Sequence, residues 1–547
     1  LFGGWVAFTV RAALHGTPFG FGGLGGDAGR LAAMAGRYAS TWRSSDGIVP
    51  SVPSHYPLLF PWLVGRTSAL IHVPAWRLLG PAEAVTLSFA VIAGYLLWRY
   101  LTPGPVALAL TLPVLLSFSL PEKAYEILAL EIFVPWALAT FGEPRRRLHW
   151  LPAGLVGGLS VVLDWQFTIY GALGVLALAV VTWRASPERG RYVRHVVLTI
   201  VVALVVASWY LIPYGAWGLL HGSKQVDDLY QGGGIQDSPL MFLAPTPLGV
   251  LELIGVIGLI WWRGRVWWGT PLLLLTGSAY AYWLLGLASF SLSGHTLLLQ
   301  DTPRLIGPLL AAAGVLTIAH TAPGVVRRLS VRTVPAGLPA LGLCLLVIWT
   351  AVTAWQAWMP GGPASPTGLY QPPVTSQRND TTAAFSTALP GGSYSAAAPA
   401  SIRNSWFPTD PIKKDVASVL GASAAPVTLT TSEELFAYVN WPGYIPVSMG
   451  AAGTNTDWPA RYAALEQLSR VTDPAAFAAA SARTAFGPID VFILQRTGPA
   501  RWTWPPFDAP YRTITFTPAQ FSADAFTIFT NLPGNYVLAV RQPPRNG

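Results

Sequence analysis

The sequence predicts a polytopic α-helical membrane protein that carries a C-terminal extracytoplasmic α/β domain. Three observations lead there. The 547-residue chain is 52% hydrophobic and only 11% charged, whereas soluble domains carry about 25% charged residues. Long apolar runs recur along it, several near the roughly 20 residues that span a bilayer. The short loops between those runs alternate between arginine-rich and arginine-poor, as loops on opposite sides of a membrane do.

Taken in order, Leu1–Val10 reads as the tail of an apolar helix, and with Leu1 in place of an initiator Met the natural chain is expected to begin earlier. Residues 11–82 mix apolar and aromatic residues with Pro and Gly, as a first outer loop that lies on or partly re-enters the membrane surface would. Spans are then predicted at about 83–101, 105–119, 125–141, 151–163, 168–183, 196–213, 247–262, 269–290, 304–320 and 337–357. The runs at 105–119 and 151–163 are short for crossing.

One set of connections carries Arg99, then Arg145, Arg146 and Arg147, then Arg184, Arg189, Arg191 and Arg194, then Arg263 and Arg265, then Arg327, Arg328 and Arg332. Only Glu143 and Glu188 dilute them. Short arginine-rich loops stay in the cytoplasm, so this set fixes the cytoplasmic side of a plasma-membrane protein. Residues 11–82, 217–246, 291–303 and everything from 358 onward then lie outside.

The predicted domains are a membrane domain over 1–357 that includes the outer loop 11–82, a Pro/Gly/Ser-rich linker over 358–409, and an α/β domain over 410–547. Within the last, Pro474–Phe486 is helical by composition and Val491–Gln495 a strand. Phe526–Phe529 and Tyr536–Arg541 form a strand pair turning at Pro533-Gly534-Asn535.

Several chemistries are disfavoured. The net charge of +9 comes largely from loop arginines that set orientation, so no nucleic acid partner is expected. The single Cys344 permits no intramolecular disulfide. The eight histidines show no paired metal-ligand spacing, so neither a metal nor another cofactor is indicated. Gly20-x-Gly22-x-x-Gly25 has the spacing of a dinucleotide fingerprint but no preceding strand. There is no serine nucleophile elbow and no phosphate-binding loop.

The candidate residues cluster on the outer side. Asp27 sits in the run Gly22-Gly23-Leu24-Gly25-Gly26-Asp27-Ala28-Gly29-Arg30, an acid and a base three residues apart on a pliable loop. Its structural alternative is a cap for a helix starting near Arg30. Glu122, Asp164 and Arg304 stand at outer helix ends. Asp164, in a very apolar hairpin, is costly unless it faces a wet cavity or a partner, and Glu131, inside a span, is expected to face the bundle interior. His55, Tyr56, Trp62, Arg66 and Trp76 suit the headgroup layer, and their flat rings also suit stacking on sugar faces.

The order of these features resembles the GT-C glycosyltransferases. Within them it is most similar to the actinobacterial galactan 5-O-arabinofuranosyltransferases. The stretches that carry the resemblance are Gly26-Asp27-Ala28-Gly29-Arg30, His55-Tyr56-Pro57, Gly65-Arg66, Pro74-Ala75-Trp76, Pro121-Glu122 with Tyr125, Arg304, Asp490–Leu494 and Tyr536–Arg541. The spacing from acid to arginine in the first loop and the prolines after Tyr56 depart from that pattern.

The resemblance implies a polyprenyl-phosphate-linked arabinofuranose donor and a galactan acceptor, with membrane lipids around the spans. It implies Asp27 as general base, Arg304, Arg66 or Arg30 at the donor phosphate, and Glu122, His55, Tyr56 and Trp76 near substrate; Asp164 joins these candidates through its apolar outer hairpin alone. A single phosphate leaving group makes a divalent metal less necessary. The alternatives are another lipid-linked-sugar transferase of the same class (branching arabinosyl or mannosyl), a transporter, or a non-catalytic envelope scaffold.

Overall fold

The computed structural model describes the chain except residues 118–119, 143–146, 225–238, 329–336, 360–379, 399, 508–509 and 544–547. The expectations for Glu143, Arg145, Arg146, Arg332 and much of the 358–409 linker therefore lie outside the described residues.

In chain order the helices begin with α1 (Phe2–Ala13), α2 (Gly26–Ser40), α3 (Leu59–Ile71), α4 (Ala75–Leu101), α5 (Gly104–Ser117), α6 (Ala124–Phe141) and α7 (Trp150–Leu163). They continue with α8 (Gln166–Ala185), α9 (Arg189–His221), α10 (Pro247–Trp261), α11 (Gly269–Ser293), α12 (Pro303–Arg328) and α13 (Gly337–Trp358). Each predicted span contains a helix. Among the described residues, seven are long and apolar enough to cross a membrane: α4, Pro121–Phe141 with α6, α8, α9, α11, α12 and α13. The protein is thus a multi-pass membrane protein. Helices α5, α7 and α10 are apolar but have 14, 14 and 15 residues. At 1.5 Å per residue they reach only about 21–23 Å, against a hydrocarbon core of about 30 Å.

The described residues form two compact units: residues 1–13, 83–209 and 230–379, and residues 14–82, 210–229 and 380–547. The segment 14–82 therefore groups with the C-terminal segment, where the sequence reading assigns it to the membrane domain. The reason is apolar burial inside the second unit, described below.

The first unit is a helical bundle. Its central element is Pro121–Phe141, 94% buried, while only 17% of the apolar window of α9 is covered. Glu131 is buried on α6, facing inward as expected. Close helix approach depends on small residues. A Cβ at Gly154 or Gly158 of α7 would come within 2.7 Å of the Thr199 or Ala203 carbonyl of α9. This small-xxx-small stripe lets two backbones pack where lipid supplies no hydrophobic driving force.

The second unit is built on a sheet of β1 (Thr428–Leu429), β2 (Val491–Gly498), β3 (Arg501–Trp504), β4 (Ile514–Phe516), β5 (Phe526–Phe529) and β6 (Tyr536–Arg541). The order is β4-β3-β2-β6-β5, with β1 pairing parallel to β2 and every other pair antiparallel. The predicted strand pair is β5 and β6, in register Phe526 to Arg541. The predicted helix is Pro474–Ala482.

Strand β2 reads as a continuous apolar run because both its faces are covered. Phe492 and Leu494 face one core with Phe477, Trp502 and Trp504. Val491 and Ile493 face another, with Ala33, Ile48, Val49 and Val52 of the segment 14–82. The alternation of β6 matches, with Val537 and Ala539 in the first core and Leu538 and Val540 in the second. One face of the sheet thus buries the loop that carries Asp27.

Candidate active site

In the second unit, the chain enters α2 through glycines in left-handed backbone. Gly22, Gly23 and Gly26 have φ of 78°, 62° and 50°. At Gly23 a Cβ would also meet the Ala383 carbonyl at 2.5 Å, so both conformation and space demand glycine there. The N-cap is Gly25, which has no side chain to cap with. Asp27 sits in the first turn, half-buried, where the helix dipole favours a negative charge. Its Oδ1 accepts a 2.7 Å hydrogen bond from Tyr56 Oη. Asp27 is therefore not the cap residue, and the helix starts four residues before the expected position.

Tyr56 is followed in space by a run of rings. The His55 ring lies 5.9 Å from that of Tyr56 and 6.0 Å from Tyr214. The His55 carbonyl accepts from Tyr210 Oη at 2.7 Å. Tyr214 bonds Thr454 Oγ1 at 2.8 Å, and Trp217 Nε1 donates to the Asn455 carbonyl at 3.0 Å. Residues 210, 214 and 217 share one face of α9, so that face fastens the loops at 55 and 454–455.

Three residues expected at substrate serve the framework. Arg30 is 1% exposed, with Nη1 at 3.2 Å from Asp46 Oδ2 and Nη2 at 3.5 Å from Glu433 Oε2. This fully buried guanidinium, held between buried Asp46 and half-buried Glu433, joins the first loop to the C-terminal segment and is not presented to a donor phosphate. Arg66 donates to the Tyr38 and Ala39 carbonyls at the end of α2, at 3.3 and 3.2 Å, and lies 4.5 Å from the centre of the Trp42 ring. That geometry satisfies terminal helix carbonyls. Trp76 is buried between Phe19, at 5.2 Å, and Tyr438, at 5.3 Å, so its ring packs and offers no sugar platform.

In the first unit, Arg304 and Asp164 belong to one polar group, and Glu122 is the sequence neighbour of its Lys123. Arg304 Nη1 meets Glu126 Oε2 at 2.8 Å and Nη2 meets Asp301 Oδ1 at 3.0 Å. Lys123 Nζ meets the other Glu126 oxygen at 3.0 Å. Glu122 is half-buried in the turn Pro121–Lys123 that leads into α6. Asp164 Oδ1 accepts from the Gln166 amide at 2.9 Å, while Oδ2 is buried without a hydrogen-bond partner among the described residues. Burial first, and then the Glu126 charge, push the Asp164 carboxyl up to about 8. Such an acid takes a proton or a ligand hydroxyl readily. Glu126, Asp46 and Glu433 were not singled out in the sequence. The spacing of Lys123 and Glu126, one helical turn apart, is the signal that points to Glu126.

The family model described as "Arabinofuranosyltransferase N terminal" matches residues 2–353. Galactan 5-O-arabinofuranosyltransferase of Mycobacterium tuberculosis (strain CDC 1551 / Oshkosh) is 28% identical over 136 residues, covering 23% of this chain and 21% of that protein. The protein of the same name from Corynebacterium glutamicum (strain ATCC 13032) is 26% identical over 327 residues, covering 57% and 48%. The chain thus spans about half or less of the length of these relatives. Among solved structures, ArnT from Cupriavidus metallidurans bound to undecaprenyl phosphate aligns with a TM-score of 0.48 at 14% identity, covering 95% of this chain and 98% of that one.

Proposed function

We propose, since the chain belongs to the arabinofuranosyltransferase family, that it transfers arabinofuranose from a polyprenyl-phosphate donor to cell-wall galactan, with Asp27 as general base. The observation that carries this reading is the Asp27 carboxylate on its glycine-flanked turn, oriented by the 2.7 Å bond from Tyr56. A carboxylate so held is oriented in advance for an incoming hydroxyl. It takes the acceptor proton as the acceptor oxygen bonds to the anomeric carbon. The bond from that carbon to the phosphate oxygen breaks, and polyprenyl phosphate leaves with its electron pair. One displacement inverts the anomeric centre. A positioned base contributes typically 10²–10⁴-fold.

Arg304 is the donor-phosphate residue in this reading. Glu126 and Asp301 fix the orientation of its guanidinium and reduce the net positive charge it offers. Asp164 Oδ2 and Glu122 are acceptors for sugar hydroxyls. The galactan acceptor is assigned to the C-terminal sheet and the first loop packed on it. A single phosphate leaving group makes a divalent metal less necessary for this step.

The reading has the C-terminal segment outside the cytoplasm, on the arginine pattern. A C-terminal alkaline phosphatase fusion should be active and fusions after Arg147 or Arg191 silent; the reverse would undo the choice of every outer residue. For the reaction, membranes holding the chain should move arabinose, not mannose, from a polyprenyl-phosphate donor to a short galactan. Transfer of mannose alone would assign a different member of the class, and transfer of neither would favour a scaffold or transporter.

A further inference from the structure

Away from Asp27, the second unit contains a cavity of about 500 Å³ between the loop after α2 and the last turns of α9. Arg37, Arg43 and Ser51 line one side, and Trp217, Leu220 and His221 the other. No carboxylate is among the lining residues. The nearby Asp46 carboxylate is spent on Arg30 and on the amides of Ile48 and Val49, at 2.9 and 2.8 Å. Arg37 donates to the Asn440 and Trp441 carbonyls, at 3.3 and 3.0 Å, with the Asp46 carboxylate as a more distant charge partner. Arg43 is exposed, and no acid pairs with it among the described residues. His221 stacks on Trp217 with ring centres 4.0 Å apart, which fixes the imidazole at the rim.

The depth of the cavity follows from α9. Arg194 and Tyr214 are 20 residues apart, about 30 Å of helix, which is the thickness of the hydrocarbon core. Residues 213–221 then fall at headgroup level. There Leu219 and Leu220 are 89% and 79% exposed, apolar side chains directly beside a cationic cavity. We propose that this cavity binds the phosphate of an anionic membrane lipid, with Arg43 and His221 donating to the phosphate oxygens and the leucines meeting the acyl chains. An arginine matches phosphate geometry with two parallel N–H groups. None of the lining residues belongs to the Asp27 cluster, and the proposal stands whether or not the transfer reaction does.

The test uses the full chain in phosphatidylcholine nanodiscs doped with phosphatidylglycerol, counting the lipids retained on release by native mass spectrometry. The wild type should retain phosphatidylglycerol in preference to phosphatidylcholine. Arg43→Gln and His221→Gln should each cut that preference, about tenfold for the arginine. Arg501→Gln, an exposed arginine on β3, should leave it intact. Both cavity residues are exposed, so the variants should melt with the wild type. Excess inorganic phosphate should fail to displace the lipid. Full displacement would make free phosphate the ligand, and unchanged retention in Arg43→Gln would remove the site.

Discussion

Tyr56 Oη donates to Asp27 Oδ1 at 2.7 Å, across 29 residues of sequence. The phenol fixes which way the carboxylate faces. Removing the hydroxyl with Tyr56→Phe keeps the ring packed against His55. A hydrogen bond to a charged group is worth about 1.5–3 kcal/mol, so kcat should fall roughly tenfold or more. The KM for donor should change little, because the phenol acts through Asp27. A loss confined to KM would make Tyr56 a substrate contact instead.

Arg30 is a structural residue in this account. Arg30→Met leaves Asp46 and Glu433 without their shared cation in a buried setting. Breaking such a pair costs about 3–5 kcal/mol, so the midpoint of thermal unfolding should fall clearly. A variant with normal stability and impaired donor use would restore Arg30 to the phosphate site.

Arg304→Ala should both destabilise the first unit and weaken donor use, since it removes the cation that meets Glu126 and Asp301 beside Asp164. Arg304→Lys should keep one of the two pairs and part of the activity. Adding Asp301→Asn to Arg304→Ala should recover stability without recovering donor affinity. Recovery of both would show that Arg304 only balances charge.

Glu434 supplies a pH test in the C-terminal segment. Burial pushes its carboxyl up to about 7 from an ordinary value of 4.5. Below pH 4.5 both folded and unfolded forms hold the proton, and Glu434 contributes no pH dependence. Between 4.5 and 7 the unfolded form ionises first, so stability declines as pH rises and levels off above 7. Glu434→Gln should melt like the wild type near pH 4 and above it near pH 8. Parallel curves across that range would contradict the burial.

The membrane helices were legible in the sequence because apolar length and loop arginines act locally, and each predicted span contains a helix. The strand pair at Phe526–Phe529 and Tyr536–Arg541 was legible for the same reason, since its turn residues adjoin it. Two things were not. The packing of Ile48, Val49 and Val52 against Val491 and Ile493 joins residues more than 400 positions apart, and apolar composition does not say which surface buries which. The roles of Arg30, Arg66 and Trp76 depend on partners (Asp46 and Glu433, Trp42, Tyr438) that no local spacing reveals. Asp27 was legible as an unusual acid, but Gly25 at the cap position is what separates it from a capping role.

The central claim is that Asp27 is the base, and arabinose transfer by Asp27→Asn tests it most directly. The assay measures transfer from a polyprenyl-phosphate donor to a short galactan, in membranes with matched protein levels. Asparagine keeps the size of the side chain and can still accept the Tyr56 hydrogen bond through its carbonyl oxygen, so folding and insertion should be normal. It cannot accept the acceptor proton, and the rate should drop on the order of 10²-fold or more. Asp27→Asn membranes that transfer arabinose at close to the wild-type rate would contradict the account and move the base to Glu122 or Asp164.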